Sequence, residues 1–185
     1  MRRMEWILIA VLAVFSIALA WQNHQLKSIV NRMPAKPRVL SRGEIVPPIV
    51  FTTNDGKIDS LNYNASNLSC WVLAILKPTC PACRKALPVW EELGATIPSD
   101  ASIFAVSTYG GAKLDSLIME EAFSIPVGVV RQPSTFSEDY RVSGVPLTMV
   151  LSRRGRVEGA WLGFPNSDKK KEILGMVAKC TGIEG

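Results

Sequence analysis

Apolar and polar positions divide the chain into stretches with different periodicities. Residues 6–21 carry no charge and no strongly polar group except Ser16, with Trp6 and Trp21 at the two ends. As a helix this run is about 24 Å long, near the short end of what a bilayer span requires. It has no polar face, which argues against an ordinary core helix. Leu26, Ile29, Val30 and Met33 then recur at helical spacing until Pro34, so the helix is expected to continue as an amphipathic stalk. Pro34, Pro37, Pro47 and Pro48 mark an extended linker after it.

From residue 44 onward the pattern alternates between short apolar runs and helical periodicity. Residues 49–52 and 58–61 flank Asn54-Asp55-Gly56 and predict a β-hairpin, the Asp-Gly pair supplying the turn. Residues 70–76, Cys-Trp-Val-Leu-Ala-Ile-Leu, are continuously apolar, as in a strand buried on both faces. A helix is expected over 80–93, kinked at Pro88 and closed by Gly94, then a strand over 102–106. A helix over 114–123 puts Leu114, Leu117, Ile118 and Ala122 on one face. Residues 126–130 read as an edge strand and 134–140 as a short helix. Residues 147–151 and 157–161 flank Arg153-Arg154-Gly155-Arg156 and predict a second hairpin. The last helix, 168–180, turns Ile173, Leu174, Val177 and Cys180 inward behind a cap at Asn166 or Ser167. Strands alternating with helices before a closing hairpin define an α/β class with a mixed sheet.

Charge sharpens this division. The 185 residues carry a net charge of +5. Seven basic residues against Glu5 make residues 1–43 +6, while 14 basic and 15 acidic residues make the rest −1. The basic character therefore belongs to the N-terminal segment. The runs Arg153, Arg154, Arg156 and Lys169 to Lys171 read as solvated surface, and no nucleic-acid partner is expected. The expected organisation is a basic n-region over 1–5, a transmembrane anchor over 6–21, a stalk and linker over 22–43, and one domain over 44–185. Ala18-Leu19-Ala20 keeps a cleavable signal peptide open as the competing reading. Arg2 and Arg3 ahead of the run favour a cytoplasmic N-terminus, although Lys27, Arg32, Lys36 and Arg38 oppose that orientation by the positive-inside count. The expected location is the inner membrane, single-pass, with the domain in the periplasm or extracytoplasmic space.

The candidate chemistry lies in Cys80-Pro81-Ala82-Cys83, where the first buried strand gives way to a helix. The free N–H groups and the dipole at a helix N-terminus favour a thiolate, the attacking species in disulfide exchange. Cys80 is placed as the nucleophile, and Cys83, one turn on and facing inward, as the thiol that resolves a mixed disulfide. Pro81 presets the first helical turn without costing a helical hydrogen bond. A zinc site would need a second ligand pair, and Cys70, Cys180 and His24 do not make one. A structural Cys80–Cys83 disulfide would close too small a loop to constrain much of the unfolded chain. Cys70 and Cys180 read as small core residues, with a disulfide between them compatible with an oxidising compartment.

The order of apolar strand, Cys80-Pro81-Ala82-Cys83, helix with Pro88, strand, helix, Tyr140-Arg141-Val142-Ser143-Gly144-Val145-Pro146 and hairpin resembles the thioredoxin superfamily. Pro47-Pro48-Ile49-Val50-Phe51 and Asp55-Gly56-Lys57 look like the N-terminal hairpin of its membrane-anchored TlpA/ResA-like branch. The flank Lys77-Pro78-Thr79-Cys80-Pro81-Ala82-Cys83-Arg84 is similar to that of the methylamine-utilisation accessory (MauD-like) thioredoxins. The resemblance implies a thioredoxin-like fold with flanking helices and an N-terminal β-hairpin extension, preceded by one transmembrane helix. It also implies that Pro146 is a cis-proline beside the two cysteines and that the backbone of Val145 pairs with an extended substrate segment. Without the family, a trans proline opening a strand is the simpler reading. Thr79 stands where the superfamily usually has tryptophan, and Ala86 where cytochrome-maturation reductases have glutamate. No acid occurs in residues 72–76, so no proton acceptor for Cys83 is visible.

The sequence therefore points to a membrane-anchored extracytoplasmic thiol-disulfide oxidoreductase. Its expected partners are thiols and disulfides of exported proteins and a membrane or periplasmic redox partner, and it is expected to need no cofactor. A copper-handling chaperone on the same fold and a thiol peroxidase are the alternatives. The first typically uses C-x-x-x-C with a distant histidine, and no histidine follows residue 24. The second needs an activating threonine and arginine, and Lys77 stands three residues before Cys80.

Overall fold

The computed structural model describes residues 2–32, 39–65 and 67–182. They fall into two units, one N-terminal and one beginning at Arg38. The first is a single helix, α1 (Arg2–Arg32). Trp6, Ile7, Val11, Val14, Phe15, Ile17 and Trp21 are all exposed on it. Among the described residues no helix is long and apolar enough to cross a membrane. The expected stalk continues to Arg32, while Met33, Pro34 and Pro37 lie outside the described residues.

The second unit is a seven-stranded sheet. In chain order it comprises β1 (Ile49–Thr52), β2 (Ile58–Leu61), β3 (Cys70–Leu76), α2 (Pro81–Thr96), β4 (Ala101–Ser107), α3 (Ala112–Glu120), β5 (Val127–Val130), α4 (Pro133–Asp139), β6 (Leu147–Ser152), β7 (Arg156–Leu162) and α5 (Ser167–Thr181). The strand order is β2-β1-β5-β4-β3-β6-β7. The pairs β3–β4 and β4–β5 are parallel, and β1, β6 and the two hairpins pair antiparallel.

Strand β3 is central because it can bury both faces. Cys70, Val72, Ala74 and Leu76 join one core cluster with Leu87 and Trp90 of α2, Leu114 of α3 and Ile173 of α5. Leu73 and Ile75 point the other way, toward Phe136, Tyr140, Leu40 and Val46. The period of two thus divides one apolar run between two layers.

Five expectations change in this body, the first being the helix read over 114–123, which ends at Glu120 and leaves Ala122 outside it at φ +48°. Residues 126–130 do not form an edge strand: Phe51 pairs with Val130 and Thr52 with Val129, so β1 covers β5. Gly94 does not end α2, which runs to Thr96 with Ile97 as its cap. A Cβ at Gly94 would meet Ile103 at 3.0 Å, so the glycine serves close helix–sheet packing. The first hairpin spans 53–57 rather than a two-residue Asp-Gly turn, with positive φ at Gly56 alone. Residues 39–43, read as the end of a linker, pack on the domain instead: Leu40 is buried and the Gly43 N–H donates to the Val157 carbonyl at 2.7 Å.

Candidate active site

The parallel arrangement of β3 and β4 brings their C-terminal ends to one edge, and α2 starts there. After Leu76 the chain turns through Lys77, whose carbonyl accepts from the Cys80 N–H at 3.0 Å. Cys80 becomes the N-cap of α2 in an extended conformation, and Pro81 occupies the first turn. The Cys80 sulfur accepts a hydrogen bond from the Cys83 N–H at 3.2 Å. That N–H, which also donates to the Cys80 carbonyl at 3.1 Å, belongs to the first turn of α2, so the sulfur occupies the anion-favouring end of the helix.

The two thiols differ in environment. Cys80 is partly exposed, whereas Cys83 is fully buried within the cluster that holds Leu87 and Trp90. Burial, with a hydrogen bond to Cys80 second, pushes the Cys83 thiol up to about 12. The backbone of Lys77 opposes this shift, and none of the groups acting on the thiol is a carboxylate. Cys83 is therefore held protonated at neutral pH while Cys80 faces outward.

Val145 and Pro146 come to the same place from the other side of β3. The Cys80 sulfur lies 3.7 Å from the Val145 carbonyl. The Val145–Pro146 peptide is cis, Pro146 is buried, and its carbonyl accepts from the Gly163 N–H at 2.7 Å. Antiparallel pairing of β6 with β3, Leu147 opposite Ile75, fixes this approach. All four candidate residues are thus brought together.

Other groups around the site were not given a role there from the sequence. The Trp90 indole N–H donates to the Thr148 hydroxyl at 3.0 Å in the core that supports α2. Arg84, next to Cys83, pairs with Glu120 at 2.7 Å and Glu121 at 3.4 Å and ties α2 to α3. The Lys77 ammonium stands 4.9 Å from the centre of the Tyr109 ring, and that ring is exposed. A tryptophan with a buried small polar residue elsewhere is a weak signal, because Thr148 is 58 residues away. A cavity of about 400 Å³ beside Pro47, Val50, Arg131, Phe136 and Tyr140 does not include Cys80 or Cys83.

The fold defined by this sheet, with a Cys-x-x-Cys helix start packed on a cis-proline loop, is thioredoxin-like. Solved structures agree. The chain is similar to the thioredoxin domain of a thiol-disulfide oxidoreductase from Bacteroides vulgatus, with a TM-score of 0.63 and 20% identity over 75% of this chain and 99% of that one. It is also similar to a thiol:disulfide interchange protein from a Bacteroides species, with a TM-score of 0.57 and 18% identity over 77% of this chain and 91% of that one. A peroxiredoxin-like protein from Aquifex aeolicus shares the fold as well, with a TM-score of 0.60 and 17% identity over 77% and 89%. No family model matches the sequence, and no curated protein matches it.

Proposed function

We propose that this chain is a thiol-disulfide oxidoreductase working outside the cytoplasm, held at a membrane through the apolar stretch of α1. The observation that carries the reading is the pairing of a partly exposed sulfur at a helix N-cap with a buried thiol one turn inside. In exchange, the Cys80 thiolate attacks one sulfur of a substrate disulfide, and the other substrate sulfur leaves as a thiolate. Cys83 then gives up its proton and attacks the Cys80 sulfur, expelling the second substrate thiolate. The protein ends as the Cys80–Cys83 disulfide, and the substrate has gained two electrons and two protons. Run backward, the same steps oxidise a dithiol.

The backbone of Val145 is the proposed docking rail for an extended substrate segment, as in strand addition. Lack of a histidine between the cysteines favours a reductant or isomerase-like role. The flank resembling MauD-like thioredoxins pulls toward assisting disulfide formation in a partner enzyme. Membership of the TlpA/ResA-like branch is part of the proposal, resting on the 49–61 hairpin and Pro47-Pro48. Proposed partners are thiols and disulfides of exported proteins and a membrane-side or periplasmic redox protein.

Trapping tests this reading. A full-length Cys83→Ser variant lacks the resolving thiol, so it is expected to accumulate mixed disulfides with exported proteins, released by reductant. A trap that captures nothing, together with no exchange on model disulfides, would overturn it.

A further inference from the structure

A second pair of thiols meets on the opposite end of β3. Cys70, the first residue of that strand, is completely buried. Cys180, in the last turn of α5, is partly exposed. The Cys180 sulfur lies 3.5 Å from the Ser69 carbonyl and 3.8 Å from the Leu151 carbonyl. Ser69 adjoins Cys70 in the chain, and Leu151 adjoins Ser152, which pairs with Cys70 across β3 and β6. The Cys180 thiol beside it, ahead of burial, pushes the Cys70 thiol upward. Both residues are thiols here.

Contact between two cysteines so far apart in sequence has a structural context. Ile173 and Val177 seat α5 on the sheet, and Cys180 continues that inward face to the end of the helix. The last residues of a helix are where fraying begins. A bond at this point would clamp the free end of α5 to the central strand.

We propose that Cys70 and Cys180 are a second disulfide-forming pair that fastens α5 to β3 and is chemically separate from Cys80 and Cys83. The oxidant is a small-molecule disulfide. Cys180, the accessible thiol, attacks it as the thiolate, and one half leaves as a small thiolate. Cys70 loses its proton to solvent and attacks the Cys180 sulfur, expelling the other half. One external S–S bond is exchanged for one within the protein. The chain loses two electrons and two protons, which the two released small thiols carry. The closed loop of roughly 110 residues holds most of the domain, so the bond restricts the unfolded chain strongly. None of this requires exchange at Cys80.

The test uses the full-length Cys80→Ser/Cys83→Ser variant, incubated folded with oxidised glutathione, alkylated and digested without reductant. The expected result is loss of both remaining thiols, a fragment bearing Cys70 joined to the C-terminal fragment bearing Cys180, and an unfolding midpoint raised by about 10 °C over the reduced sample. In an otherwise wild-type chain, Cys180→Ala should abolish most of the difference between oxidised and reduced midpoints. Recovery of both cysteines as alkylated thiols, or of separate glutathione adducts without the cross-link, overturns the proposal. So does an unchanged midpoint difference in Cys180→Ala. Activity toward model disulfides in the wild-type chain reads the Cys80 reaction independently, so the two proposals fail in distinguishable ways.

Discussion

The sulfur of Cys80 lies 3.7 Å from the carbonyl oxygen of Val145, although 65 residues separate them in the chain. This contact joins the start of α2 to the loop before β6 and makes Val145 a neighbour of the reacting atom. A carboxylate introduced there should disfavour the thiolate by like-charge repulsion. Val145→Asp is expected to slow alkylation of Cys80 by iodoacetamide at neutral pH several-fold in the reduced protein. High salt should recover part of the loss.

The thiols of Cys80 and Cys83 should react very differently. With Cys83 buried and Cys80 partly exposed, the folded Cys83→Ser variant is expected to alkylate at least about tenfold faster than the folded Cys80→Ser variant at pH 7. Denaturant should remove the difference. Quantitative mass spectrometry of timed samples provides the check.

The raised Cys83 thiol carries a stability consequence with a definite sign. Burial pushes the folded Cys83 thiol up to about 12, against an ordinary thiol value of 9.0. The stabilisation from this group is complete below pH 9 and is lost as pH rises toward 12. Reduced wild-type protein should therefore lose about 1 kcal/mol more than Cys83→Ala between pH 8.5 and 10. Urea unfolding at a series of pH values measures the two slopes. Comparison of slopes sets aside the small packing change made by the substitution.

Gly128 tests the packing that makes β5 an inner strand. A Cβ there would lie 2.5 Å from the Phe51 ring and 2.9 Å from that of Phe104. Those rings are themselves packed 4.8 Å apart and buried, so neither can yield easily. Gly128→Ala is expected to destabilise the domain by about 1–3 kcal/mol, with the loss read from chemical denaturation.

Tyr63 and Tyr140 predict an asymmetry. Their hydroxyls are 2.7 Å apart, and that of Tyr140 also donates to the Pro47 carbonyl. Removing the Tyr63 hydroxyl leaves the Tyr140–Pro47 bond in place, whereas removing that of Tyr140 leaves both the buried Tyr63 hydroxyl and the Pro47 carbonyl without this partner. Tyr140→Phe should cost about 1–3 kcal/mol and Tyr63→Phe about 1 kcal/mol. Paired denaturation curves distinguish them.

What was legible in the sequence followed from local pattern. Strand β3 could be read over its full length because a seven-residue apolar run is bounded by polar residues on both sides. Cys80 could be placed at a helix start because the apolar strand pattern ends at Leu76 and, after a short turn, Pro81 suits a first helical turn. Gly94 misled because a glycine that ends a helix and one that lets a helix approach a sheet look alike until Ile103 is in place. The inner position of β5 depended on which strand would cover it, a choice made by pairing with Phe51 nearly 80 residues earlier. The meeting of Cys70 with Cys180 was also nonlocal, created when α5 docks against β3 and β6.

The central claim is exchange at Cys80 and Cys83, and a catalysed disulfide reduction tests it most directly. With dithiothreitol as electron donor, full-length protein is expected to accelerate insulin reduction, followed by turbidity, while Cys80→Ser reduces the acceleration to background. An inactive wild-type chain, or a Cys80→Ser variant as active as wild type, would contradict the account.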